Sequence, residues 1–381
     1  MTAAKHSPKV PFFRHDLGEA EVEAFRKVLA GPILTTGAVT AEFEQKFAAA
    51  LGAKHALAVT SCTGALHMCL LGLGIGPGDE VITTPMTFIA TATAIISAGA
   101  TPVFVDVERH TGNLDAAAVE AAITPRTKAI LPVHLYGLMC DMRALRAVAD
   151  RHGLAIVEDA AHCIEGVRDG VRPGQLSNAA CFSFYATKNM TCGEGGALVV
   201  NDGAFYEQLR LIRLHGMTKT AYDRSKEGYT HWDMVTMGWK YNMSNVDASI
   251  LIPQLDRLQA NLAKRHTLAA RYAERLGKIS GIELPRTPND AVHARHVYPI
   301  WLTSKPRDEV LQALMARGIE VVVNYRAVHL LSYFTENLGC KAGDHPAAER
   351  LGDTTLSLPF YPNMPLEYVD IVAETLEEVL D

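Results

Sequence analysis

The sequence predicts an α/β fold, with a large domain built on a mostly parallel, seven-stranded sheet between helices and a smaller C-terminal α+β domain after it. Three observations lead there. From about Glu19 to Val200, helical patterns alternate with short apolar runs, as in a parallel sheet covered on both faces. One long stretch of helical periodicity begins near Ser244, and a shorter mixture of helix and strand patterns follows it. The length, 381 residues, suits two domains at roughly 100–200 residues each.

In chain order the expected strands are His55–Thr60, Glu80–Thr84, Pro102–Val107, Ala129–Val133, Ala155–Glu158, Ala179–Ser183 and Gly196–Val200. Ser244 or Asn245 is placed to cap a helix through DASILIPQLDRLQANLAKRHTLAARYAERLG, bent at Pro253, that joins the two domains. HVYPIWL, a helix near Arg307–Arg317, IEVVV and a last helix near Leu366–Leu380 make up the smaller domain. This puts residues 1–243 in the large unit and 244–381 in the linking helix and small domain.

Composition removes several function classes. With 48% hydrophobic and 20% charged residues, the chain can bury a full core. Its formal net charge is −6 and it has no run of Lys or Arg, so it lacks the basic face needed to displace counterions from nucleic acid. Seven scattered cysteines without a C-x-x-C pair suggest neither a disulfide framework nor a metal site, and fit the cytoplasm. The N-terminus has no apolar signal segment, and no apolar stretch reaches the length of a membrane span.

In open parallel sheets, ligands bind outside the carboxyl ends of the strands, and four such places stand out. In SCTGAL (61–66) a strand meets a helix whose N–H groups around Thr63 and Gly64 face an anion, although the same residues also read as an ordinary cap by Ser61 or Thr63. VEDAAH puts Asp159 where a carboxylate meets a positive ring nitrogen, or where it caps a helix. In CFSFYATKNMTCGEGG, Ser183 offers a hydroxyl to the same anion. Lys188, just past a buried strand, is placed for desolvation and imine formation, while Gly193, Gly195 and Gly196 serve a tight turn. In PMTFIATA, Phe88 can stack on a flat ring or pack in the core. Together an anion cradle, an aromatic, an acid and an amine match a pyridine ring bearing an aldehyde and a phosphate, which is pyridoxal 5'-phosphate (PLP).

The ordered series ILTTG, SCTGAL, GDEVITTPMTF, TPVFVDV, ITPRTKAILPVHLYG, VEDAAH, SFYATKNMTCGEGG, GWKYNMSNVDA and NYRAVH resembles the DegT family of PLP-dependent sugar aminotransferases, of aspartate-aminotransferase fold type I. KNMTCGEGG and GWKYNMSN are most similar to transaminases of UDP-linked 4-keto sugars, among them the enzyme forming UDP-4-amino-4-deoxy-L-arabinose. The resemblance implies that Lys188 is the Schiff-base lysine and Asp159 the partner of the pyridine nitrogen. It further implies that Phe88 stacks on the ring, that Thr63, Gly64 and Ser183 hold the phosphate, and that His162 lies near the cofactor. Asn242 would reach the phosphate of a neighbouring subunit, making a homodimer with shared sites, and His329 would lie near the substrate. Gly64 stands where many relatives carry Ala, a difference that should be tolerated because the contact is made by backbone N–H.

The implied substrates are L-glutamate as amino donor and a nucleotide-linked keto sugar as acceptor, with Thr35, Lys219, Arg224 and Arg326 as substrate contacts. Relatives that dehydrate sugars have His at the lysine position, so Lys188 favours transamination. A nicotinamide enzyme would need GLGIGPG (72–78) between a strand and a helix, but the stretch follows a helix and precedes a strand. A non-catalytic regulator would need a basic recognition helix, and none is evident.

Overall fold

A computed structural model describes residues 10–219 and 231–381. The seven strands expected from the apolar runs are present as β1 (His55–Val59), β2 (Glu80–Thr83), β3 (Thr101–Phe104), β4 (Thr127–Leu131), β5 (Ala155–Asp159), β7 (Ala179–Ser183) and β8 (Gly196–Val200). A two-residue strand, β6 (Val167–Arg168), lies outside this sheet and pairs with β10 (Ala291–Val292). The sheet order is β1-β8-β7-β5-β4-β2-β3. Only β8 runs antiparallel, against both β1 and β7. The carboxyl ends of the other six therefore lie along one edge, which is what a ligand site needs.

Alternation along each strand divides its side chains between two cores. From β1, Ala56 and Ala58 join Phe43, Phe47, Leu145 and Leu251 on one face, whereas Leu57 and Val59 join Leu66, Ile95 and Leu209 on the other. Helices Ala38–Leu51, Met142–His152 and Asn245–Asp256 cover the first face, and Cys62–Gly72, Ala90–Ser97 and Gly203–Arg213 the second.

A third core surrounds a three-stranded antiparallel sheet in which β11 (Tyr298–Leu302) lies between β12 (Thr355–Leu358) and β9 (Ile282–Glu283). Helices Leu258–Leu276, Arg307–Ala316 and Leu366–Leu380 pack on it. Val10 joins this core too, bonded to Gly318 and Glu320, so the N-terminal segment straps onto the smaller unit.

Two elements differ from expectation. The long helix is two helices, interrupted at Arg257 rather than bent at Pro253. Pro253 offers no N–H to the turn behind it. The Arg257 side chain is drawn away by Asp16 (3.1 Å) and Glu21 (2.6 Å), and regular bonding resumes only from Asn261 N–H to Arg257 O. IEVVV forms isolated bridges to Val10 and Ser357 instead of a strand, and Thr355–Leu358, not anticipated, takes the edge beside β11. Ser244 does cap its helix, accepting from the Asp247 N–H. Among the described residues no helix is long and apolar enough to cross a membrane.

Candidate active site

The ends of β1, β2, β5 and β7 border a cavity of about 500 Å³. Thr63, Phe88, Asp159, His162, Ser183 and Lys188 all line it, delivered by the four steps from strand to loop. The stretch GLGIGPG lies between the Cys62–Gly72 helix and β2, away from any strand-to-helix turn.

Asp159 closes β5. Its N–H donates to Pro132 O (2.9 Å) and its carbonyl accepts from the His134 N–H (3.1 Å), so the strand end is held against the stretch that follows β4. No helix follows, which removes the capping role. The carboxylate accepts the Ala161 N–H at 3.1 Å through Oδ1 and the Thr91 hydroxyl at 2.7 Å through Oδ2. Thr91 is in turn 2.6 Å from the Thr87 hydroxyl. These contacts orient a buried negative charge toward the cavity without neutralising it.

Lys188 follows β7 in a turn closed by its own N–H donating to Tyr185 O (2.9 Å). Its side chain is half-buried. Desolvation lowers its pKa to about 8, with the charge of Asp159 pulling in the opposite direction. A useful fraction of the amine is therefore unprotonated near neutral pH, as attack on an aldehyde requires.

At the anion cradle the cap and the binding site compete for donors. Ser61 Oγ accepts the Gly64 N–H at 3.0 Å, so this amide is spent on capping and not on an anion, contrary to expectation. The Cys62 and Thr63 amides, one step earlier in the first turn, have no carbonyl behind them and remain as donors. A Cβ on Gly64 would stand 3.1 Å from Tyr241 and 3.3 Å from Ser61 Oγ, so alanine there would require the ring to yield. Ser183 Oγ accepts the Tyr185 N–H (3.3 Å), leaving its own O–H free to donate into the same space.

Gly196 begins β8 beside this cradle, and a Cβ there would meet Cys62 N and Ser61 C at 2.5 Å. Gly193 takes a φ of +88° in the tight turn before it. Gly196→Ala is expected to force the helix N-terminus away, at a cost of about 1–3 kcal/mol, and to weaken phosphate binding. Thermal unfolding and cofactor titration measure both effects, and wild-type values in each would show that the cradle does not depend on this close approach.

The far wall is aromatic. His162 stacks on His296 (4.4 Å between centroids, 30° between planes), and its Nε2 is 3.1 Å from the Tyr325 hydroxyl. Burial pushes the Tyr325 phenol up and the His162 imidazole down, so Tyr325 donates and neutral His162 accepts. Phe88 is 55% exposed, its ring 6.0 Å from that of Tyr325. Tyr325, His296, Thr87, Thr91 and the N-terminal pair Phe12 and Phe13 were not singled out by sequence. Tyr325 left a signal in the motif NYRAVH, and Thr87 and Thr91 in PMTFIATA.

Among the described residues, Gly64 and five other predicted residues do not line the cavity. Asn242 bridges to Val59 beside β1, and its amide lies between Thr36 Oγ1 (2.7 Å) and Lys240 Nζ (2.5 Å). Thr35 is exposed on the neighbouring loop, where its carbonyl accepts the Asn245 N–H. Arg326 is exposed, and His329 is fully buried with Nε2 3.1 Å from Glu349. Lys219 is half-buried outside the lining, and Arg224 lies outside the described residues.

The sequence pattern of the DegT/DnrJ/EryC1/StrS aminotransferase family matches residues 15–377. The spore coat polysaccharide biosynthesis protein SpsC of Bacillus subtilis is 40% identical over 382 aligned residues, covering 99% of this chain and 98% of that one. DesV of S. venezuelae is 38% identical with a TM-score of 0.91, over 98% of this chain and 99% of that one. Spr1654 of Streptococcus pneumoniae, described as a sugar aminotransferase and solved in its PMP form, is 31% identical with a TM-score of 0.92, over 97% and 99%.

Proposed function

Because the chain belongs to the DegT/DnrJ/EryC1/StrS aminotransferase family, whose members use PLP, we propose that it moves an amino group from L-glutamate to a nucleotide-linked keto sugar, a UDP-4-keto sugar in first choice. The observation that carries this reading is Lys188 and Asp159 bordering one cavity, with free helix N-terminal amides at its end. SpsC, a polysaccharide biosynthesis protein, and Spr1654 support a sugar as acceptor. The motifs KNMTCGEGG and GWKYNMSN support the UDP-4-keto class.

The residues present fit PLP. Cys62 and Thr63 amides with the Ser183 hydroxyl would hold its phosphate, Asp159 its ring nitrogen, Phe88 its ring face and Lys188 its aldehyde carbon. Bound there, PLP supplies an electron-withdrawing ring conjugated to the substrate carbon. Lys188 would take the proton from the donor α-carbon and return one in the course of the transfer, and a water would be consumed as the donor skeleton leaves as 2-oxoglutarate. With the sugar the same lysine works in reverse. Neutral His162, held by Tyr325, adds no competing positive charge to the space where Lys188 acts.

An amine-transfer assay with L-glutamate across nucleotide-linked 4-keto and 3-keto sugars tests the reading. Formation of 2-oxoglutarate beyond one equivalent per site is expected only with a matching sugar, from a protein absorbing at roughly 400–430 nm. A protein that shows the band but aminates none of the panel would sink the sugar assignment and leave the cofactor.

A homodimer with shared sites belongs to the same proposal, supported by Asn242 standing outside the cavity of its own chain. Lys188→Ala and Asn242→Ala homodimers should each be impaired. After joint unfolding and refolding, about half the dimers are mixed and half of their sites are intact, so roughly a quarter of wild-type activity should return. Activity no higher than the parents' average would confine Asn242 to its own subunit.

A further inference from the structure

Away from the reaction cavity, the smaller unit carries a pocket of about 90 Å³ between the Leu258–Leu276 helix, the stretch that leaves β9 and the start of β11. Arg295, His293 and Tyr298 give it polar lining, and Ala273, Leu284 and Pro285 belong to its apolar wall. His296, next to Arg295 in the chain, lines the reaction cavity, so adjacent residues of one short segment serve the two spaces.

Arg295 is a cation without a counter-ion. It is half-buried and forms no ion pair among the described residues; its guanidinium reaches only the Thr287 hydroxyl, at 3.5 Å. Burial lowers its pKa, as expected of a charge that no carboxylate holds. Tyr298 is stacked on Tyr272 at 4.6 Å between centroids, and its hydroxyl bonds to no protein atom among the described residues. Burial pushes that phenol up to about 12 while the Arg295 charge pulls it down, so it remains a donor within electrostatic reach of the guanidinium. His293 adds no charge, because burial pushes its imidazole well down and its Nδ1 accepts the Arg295 N–H at 3.0 Å. That bond holds Arg295 at a φ of +51°, in the left-handed region that an arginine rarely occupies. A partly desolvated cation kept this way is unfavourable until an anion joins it.

We propose that this pocket binds a short-chain monocarboxylate, with its oxygens on Arg295 and the Tyr298 hydroxyl and its alkyl group against Ala273, Leu284 and Pro285. Size and charge select the class. At roughly 30 Å³ per water in the liquid, 90 Å³ is the space of about three waters, enough for a carboxylate with a short alkyl chain and too little for a sugar or a nucleotide. One cation matches one negative charge. A dicarboxylate would press its second charge against the apolar wall, phosphate would carry a second charge into the same space, and an amino acid would set its ammonium beside the guanidinium.

Calorimetric titration of the cofactor-loaded protein with sodium propionate, in buffer free of chloride and phosphate, tests the site. One propionate per chain is expected, with a Kd of about 1 mM or tighter. Arg295→Met should weaken binding at least about tenfold, and Tyr298→Phe about threefold. Ala273→Leu, at an exposed helix position that suits leucine, keeps the cation but fills the apolar end, and should also weaken binding at least about tenfold. Propionate should raise the melting temperature of wild type and leave that of Arg295→Met unchanged. Wild-type affinity in Arg295→Met or in Ala273→Leu overturns the site, and the second variant decides if the first does not fold. Tighter binding of phosphate or glutarate than of propionate overturns the class. Crystals grown with propionate should show its carboxylate on Arg295. Density there without heat in solution up to about 50 mM is binding at crystal concentration only, and overturns the proposal.

Discussion

Lys188→Ala is expected to fold and to bind PLP through the phosphate cradle, yet to show neither the visible band nor measurable turnover, because anchor and proton carrier are lost together. The fold should not suffer. Lys188 binds its proton less tightly in the folded protein, at about 8, than at the ordinary 10.5. Between these values the unfolded chain holds more protons, so stability rises with pH across the window. Below about 8 the charged, partly desolvated lysine is a net cost that disappears above about 10.5. The cofactor-free variant should therefore melt no lower than wild type at neutral pH, with any advantage fading as the solution becomes alkaline. Turnover within about tenfold of wild type would remove Lys188 from the mechanism. A large fall in melting temperature with turnover lost would instead assign it a structural role.

Asp159→Asn separates the charge of that side chain from its shape. Asparagine can still accept the Ala161 N–H, and its amide can donate to the Thr91 hydroxyl, which then donates to Thr87. The β5 end is held by backbone bonds the substitution does not touch. What disappears is the negative charge that keeps the pyridine nitrogen protonated, so removal of the donor's α-proton should slow by about a hundredfold or more, equivalent to about 2.7 kcal/mol of barrier. Cofactor content should change much less than rate, since the phosphate contacts are intact. Rates with the donor amino acid within about threefold of wild type would show that Asp159 is not the electron-sink partner.

The sheet was legible from local pattern because each strand is a short apolar run ended by a turn, and a parallel sheet buries both faces of such runs. The placing of Asp159, Ser183 and Lys188 at one edge follows from the same pattern once all carboxyl ends point one way. The order of motifs from ILTTG to NYRAVH marked the family, and the match over residues 15–377 agrees with it. These properties depend on neighbours in sequence or on the repetition of one supersecondary unit.

The remainder depends on contacts between distant segments, and no local pattern encodes those. Whether IEVVV pairs as a strand depends on Thr355–Leu358 taking the edge beside β11. The stack of His162 on His296 under the Tyr325 hydroxyl joins three stretches of chain that become neighbours only when the small unit closes over the sheet edge. Strand and helix identity thus came from periodicity and end signals, whereas the distribution of hydrogen-bond donors among caps, cofactor cradle and aromatic wall was decided by packing, because each donor is used once and its partner arrives from elsewhere in the chain.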